Sequence, residues 1–223
     1  YKRQGLPAAR SWAHADVAQA MAQRCPRCRA RLLERLGQPD PAGHDPSTMG
    51  SADPLPIRLP DRRVRGDHGR LGPFDWWRFS RGQGTPVTVW WHAASQIATA
   101  HGLLWADGAP DLRDSDIDSM LVATEALIEL SRHWPAGLRW LPEQGPLLDT
   151  EHGPLAHRRY WLALRQAIAE AQANGQAESA PAPALPGIDA QVTNSLRHRL
   201  NWQRAWREQD EFSPDASPPS RAH

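Results

Sequence analysis

Cys25 and Cys28 are the only cysteines, and they stand in Cys25-Pro26-Arg27-Cys28. A CxxC turn can present two thiolates to one tetrahedral Zn²⁺, which needs four ligands. No second CxxC follows, so His14 and His44 are the candidates to complete a Cys25, Cys28, His14, His44 set. Neither spacing follows a familiar zinc finger, and ligands could also come from a missing N-terminal segment or a second chain. Two rivals stay open. One is a redox pair, which would need a strand before the motif. The other is a pair of ordinary reduced cysteines. One close pair is a poor disulfide framework and points to a reducing, cytoplasmic compartment.

Arginine supplies the second chemistry. Arg24, Arg27, Arg29, Arg31 and Arg35 face a single acid, Glu34, over residues 24–36. Arg58, Arg62, Arg63, Arg65, Arg70, Arg78 and Arg81 face only Asp61, Asp67 and Asp75 over residues 58–81. Guanidinium groups pair bidentately with phosphate, and a basic arm can follow a nucleic-acid backbone. Trp76 and Trp77 interleave with Arg78 and Arg81 and are candidates to stack on unpaired bases. The plainer alternative makes those aromatics core and the arginines solvated surface.

Residues 105–129 are acidic, with Asp107, Asp111, Asp114, Asp116, Asp118, Glu125 and Glu129 against Arg113. Asp114-x-Asp116-x-Asp118 with Glu125 at the twelfth place imitates a calcium loop. Ser119 stands where that loop needs glycine, and a helix begins inside the motif. Acids at a helix start also complement its dipole, and the patch could dock an arginine-rich segment, including one from this chain. His92, His101, His152 and His157 follow no metal-site signature. Gly82-x-Gly84 is too short for a dinucleotide-binding fingerprint.

The elements that would position these groups are predicted mostly as helices. Short helices at 11–24 and 28–36 form a hairpin around the CxxC, within residues 5–37. Residues 38–73 hold seven prolines and form a linker or arm, with a short strand at 56–59 as an option. The core spans 74–174, where eight of the 11 tryptophans lie. Thr85-Pro86 would cap a helix over 86–104; Val87, Thr88 and Val89 favour a strand there instead. Helices follow at 115–132, started by a Ser115/Asp118 capping box, and at 155–174. An Ala/Pro linker (175–187) leads to a C-terminal helix within 188–212, which could dock on a partner or pack back. A polar tail closes the chain from 213. The expected fold class is therefore mainly α: a Trp-rich helical bundle, a small Cys-containing helical hairpin and a detached C-terminal helix.

The whole-chain numbers limit the function. The 26 Lys+Arg against 25 Asp+Glu leave a formal net charge of +1, so polyanion binding must come from local patches. Hydrophobic residues make up 40 % and charged residues 23 %, as in globular proteins. No run of about 18 apolar residues suggests a membrane span, and the visible start has no secretory signal pattern. Tyr1-Lys2-Arg3-Gln4 holds the only lysine and reads as a translated transposase-adapter sequence, so residues 1–4 are expected to be an artefact of an upstream truncation.

The leading expectation is a non-enzymatic nucleic-acid-associated protein of a bacterium, phage or mobile element, such as an accessory subunit of a nucleoprotein complex. The alternatives are a protein–protein adaptor using the acidic 107–129 surface and the C-terminal helix, and, weakest, a metal-dependent hydrolase.

Overall fold

The computed structural model of the 223-residue chain describes residues 10–36, 58–81, 84–112, 115–177 and 179–211. Side chains at 27–29, 31–36, 81, 84–85 and 207–211 are outside that description. The chain divides into two units, Tyr1–Gly66 and Asp67–His223.

In the first unit, β1 (Trp12–His14) pairs in parallel with β2 (Arg62–Val64). Ser11 and Asp61 fasten the start of the ladder. Ser11 N–H donates to Asp61 Oδ2 at 2.7 Å, and Asp61 N–H donates to Ser11 O at 3.0 Å. Between the strands in sequence runs α1 (Ala15–Leu36). It is one continuous helix through the CxxC, which corrects the expected hairpin. Pro26 lies inside it. Its missing N–H leaves the carbonyl one turn earlier without an intrahelical partner, yet the helix continues.

The second unit is built on a five-stranded sheet in the order β3 (His68–Leu71), β4 (Phe74–Arg81), β5 (Gly84–His92), β6 (Ile97–Ala100) and β7 (Arg139–Leu141). The first four strands form an antiparallel meander, and β7 joins β6 in parallel. A parallel neighbour needs a crossover, and α2 (Ile117–Arg132) lies within that connection. This overturns the expected mainly α fold: the second unit is mixed α/β, a five-stranded mixed sheet with helices. The helix expected over 86–104 is absent. In its place stand β5, the alternative prediction at 86–91, and β6.

Alternation explains the change. Trp77, Phe79, Val87, Val89 and Trp91 share one sheet face and pack into or against the core. Trp76, Arg78, Thr88 and Trp90 take the other face. A β-carbon on Gly69 would come within 2.8 Å of the Trp76 ring, so glycine there lets the indole lie across β3.

The core face is covered by α2, by α3 (Ala156–Ala173) and by α5 (Leu196–Glu211), with a short α4 (Ala190–Thr193) before the last. Met120, Leu127, Trp161, Leu164, Ile168 and Trp202 are buried among them with Trp140. Asp116, not Ser115, caps α2, accepting from Ser119 N–H at 2.6 Å and from the Ser119 hydroxyl at 2.8 Å. The C-terminal helix is not detached: Trp202, Ala205 and Trp206 are all in the core. Its Ala/Pro approach is strapped down as well, with Leu185 buried. The expected tail at 213–223 and residues 1–4 lie outside the described residues.

Candidate nucleic-acid interface

The arginine-rich residues of the first unit sit on and beside β2. Arg58, Arg62, Arg63 and Arg65 are all exposed. Strand alternation sends Arg62 and Arg63 to opposite faces of the two-stranded ribbon, and Arg65 follows the strand's end. None of the four makes an ion pair with another described residue. Asp61, the acid closest in sequence, is engaged by the Ser11 amide and hydroxyl. Trp12 stands directly opposite Arg62 in the ladder and is 43 % exposed. Arg24 on α1 is exposed too, whereas the side chains of Arg27, Arg29 and Arg31 fall outside the described residues.

The second unit treats its share of the predicted interface differently. Trp76 is 3 % exposed and cannot stack on a base in this conformation. Trp77 points to the opposite face, where its ring lies 5.2 Å from Trp134 and 6.4 Å from Trp91. These two tryptophans therefore serve the fold. Arg70 lies 3.8 Å from Asp75, and Arg78 lies 3.4 Å from Asp67. The Arg81 side chain is outside the described residues.

His14 and Cys25, the two predicted zinc ligands with described side chains, are not drawn together. His14 is buried and both ring nitrogens are used. Nε2–H donates to Gly66 O at 2.9 Å, while Nδ1 accepts from Asp16 N–H at 3.2 Å. Eleven residues of strand end and helix separate it from Cys25, about 16 Å at helical rise. Cys25 is half-buried. Cys28 follows one turn later on the same helix, with its side chain outside the description, and His44 is wholly outside it. Among the described residues, no group of three or more His, Cys, Asp or Glu is placed to hold a metal ion.

The calcium-like motif and the acidic surface are spent within the chain. Asp116 caps α2. Asp118 pairs with Arg165 at 3.0 Å, Glu125 with Arg158 at 2.7 Å, and Asp111 with Arg204 at 3.3 Å. The arginines come from α3 and α5, so the acidic patch holds arginines of this same chain. Asp114 is outside the described residues.

The histidines are scattered, each with local partners. His101 Nδ1 lies 2.7 Å from Glu143 Oε1, which also accepts from Gly102 N–H at 2.9 Å. His92 meets the Ser95 hydroxyl at 2.8 Å, and His152 meets Asp149 at 2.9 Å. His157 is buried: Nδ1–H donates to Gly153 O at 2.7 Å and Nε2 accepts from Trp105 N–H at 3.0 Å. Desolvation pushes its pKa down to about 4; the Gly153 hydrogen bond opposes this in part, and the nearby Arg197 charge adds to the lowering.

One polar network was not foreseen from the sequence. His198 Nε2–H donates to Pro183 O at 2.9 Å, and Nδ1 accepts from the Tyr160 hydroxyl at 3.0 Å. Asn201 donates to Tyr160 Oη at 3.0 Å and to Pro110 O at 2.6 Å, and accepts from Leu112 N–H at 3.0 Å. Arg197 adds a hydrogen bond to Asp107 O at 2.7 Å and lies 4.1 Å over the Trp105 ring. The hydrogens that His198, Tyr160 and Asn201 donate all find acceptors, whereas Arg197 Nη1 is buried without a hydrogen-bond partner. The network ties α5 and the Ala/Pro strap to α3 and the 105–112 loop. Polar residues on an otherwise apolar helix face (His198 and Asn201 between Val192 and Trp202) are the only trace of it in the sequence.

In class, the second unit is a mixed α/β fold with one sheet face covered by helices. No protein-family model matches the chain, and no curated protein matches it either. Among solved structures, a metallo-beta-lactamase from Pontibacter korlensis aligns with 19 % identity and a TM-score of 0.34, over 60 % of this chain and 61 % of that one. A score that low assigns neither a fold nor a function. No helix among the described residues is long and apolar enough to cross a membrane.

Proposed function

We propose that the chain is a non-enzymatic, nucleic-acid-associated protein that contacts the phosphate backbone through Arg58, Arg62, Arg63 and Arg65. One observation carries the reading. These four guanidinium groups are exposed on and beside β2 with no carboxylate partner among the described residues. In the second unit most described arginines differ: Arg70, Arg78, Arg132, Arg158, Arg159, Arg165 and Arg204 each sit on a carboxylate, while Arg139 and Arg199 are exposed without an ion pair to a described residue. A net charge of +1 thus conceals a separation: the first unit holds 12 Lys+Arg against 6 Asp+Glu, and the second 14 against 19. Open arginines on a short strand suit phosphate, because each can donate two parallel hydrogen bonds to it.

The test is fluorescence anisotropy of the full chain with labelled single-stranded DNA, duplex DNA and RNA. The charge-reversed variant R62E/R63E/R65E is expected to weaken binding to whichever of these the wild type binds. Unchanged binding by that variant removes β2 from the account.

A further inference from the structure

We infer that the nucleic acid held by this ribbon is single-stranded, with Trp12 stacking on a base while Arg62 and its neighbours hold the phosphates. The inference rests on the function proposed above and adds the class of ligand. Residues directly opposite in a β-ladder project to the same side with their β-carbons close together. The Trp12↔Arg62 register therefore puts an indole beside a guanidinium on one face. The next pair on that face, His14↔Val64, is closed off, with His14 4 % exposed, whereas Trp12 is 43 % exposed. The face is thus anchored at one end and open at the other.

The open end is also held rigidly. Ser11 O accepts from Asp61 N–H at 3.0 Å and from Arg62 N–H at 3.1 Å, so the backbone beside Trp12 is fixed. An exposed indole on a fixed backbone, with a guanidinium beside it on the same face, suits a stacking platform. Base faces are available only where bases are unpaired, since a duplex buries them against their neighbours. Phosphate contacts alone would not tell the two forms apart.

The experiment measures binding of a labelled oligothymidine and of a duplex of equal length by the wild type, W12F and W12L. Single strand is expected to bind more tightly than duplex. W12L is expected to lose about 5- to 150-fold in single-strand affinity. W12F should keep most of it, and duplex affinity should change less than about 2-fold, since the phosphate contacts remain. Photocrosslinking of the wild type to an iododeoxyuridine oligonucleotide is expected to attach at Trp12. It keeps the inference testable even if W12L fails to fold. Wild-type single-strand affinity in W12L, or crosslinks only elsewhere, overturns the stacking role. The phosphate reading survives that result if R62E/R63E/R65E still weakens binding. Failure of the wild type to bind any nucleic acid at low salt overturns both.

Discussion

At the scale of single residues, the buried histidines set how this protein responds to acid. His157 is neutral in the fold, because burial strips it of solvent and the Arg197 charge lies nearby. Its pKa falls from 6.5 to about 4. The unfolded chain therefore takes up a proton near pH 6.5 that the folded chain refuses. Stability is full above that pH and falls between about 6.5 and 4, by about 3 kcal/mol for this residue. His198 is also lowered, by desolvation, and acts in the same direction. Urea midpoints measured across this range should drop as pH falls, and H157Q should flatten the slope. Asn201 gives a second expectation. Removing its amide in N201A strands Leu112 N–H and Pro110 O in the interior, at a cost of about 2–4 kcal/mol. A denaturant midpoint for N201A equal to wild type would show that the network contributes nothing.

At the scale of elements, the helices follow the sequence pattern and the strands largely do not. α2 and α3 form where long stretches of 3.6-residue periodicity predict them, within two residues at each end. The 86–104 region deceives because Trp90, Ala94, Ile97, His101 and Leu104 fall at helical steps by coincidence. The steps are broken by a 3-10 turn at Ala93–Ser95, and Gln96 adopts a left-handed conformation at φ 52°. The decisive signal was the alternation of Val87, Val89 and Trp91, whose register partners Phe79 and Trp77 share their face. The neighbouring pair Trp76 and Trp77 could not be resolved by composition: strand parity sends them to opposite faces. β1 and β2 have three residues each and are paired across 50 positions of chain, so no local pattern announces them. The arginines of the proposed interface were legible. Their isolation from acids was not, because it depends on which carboxylates the tertiary fold assigns elsewhere. α5 shows the same limit. Its linker suggested a detached helix, but Trp202 and Trp206 complete the core. Deleting residues 188–223 is therefore expected to cause a large loss of thermal stability rather than leave melting unchanged. An unaltered melting temperature would return α5 to the role of a free docking element.

At the scale of the whole molecule, the distribution of charge matters more than its sum. In the second unit Asp116 caps α2, and Asp111, Asp118 and Glu125 hold arginines of α3 and α5, whereas Arg58, Arg62, Arg63 and Arg65 at residues 58–65 are a concentration of open cations among the described residues. Neutralising a phosphate with an arginine releases condensed counterions, so binding through this ribbon must weaken as salt rises. The most direct test is the log–log dependence of affinity on salt concentration for a labelled single strand, with the wild type and R62Q/R63Q/R65Q compared. The account expects a steep negative slope for the wild type, made shallower by about 0.7 for each arginine that contacted a phosphate. A flat wild-type slope, or one that the triple variant leaves unchanged, would contradict it.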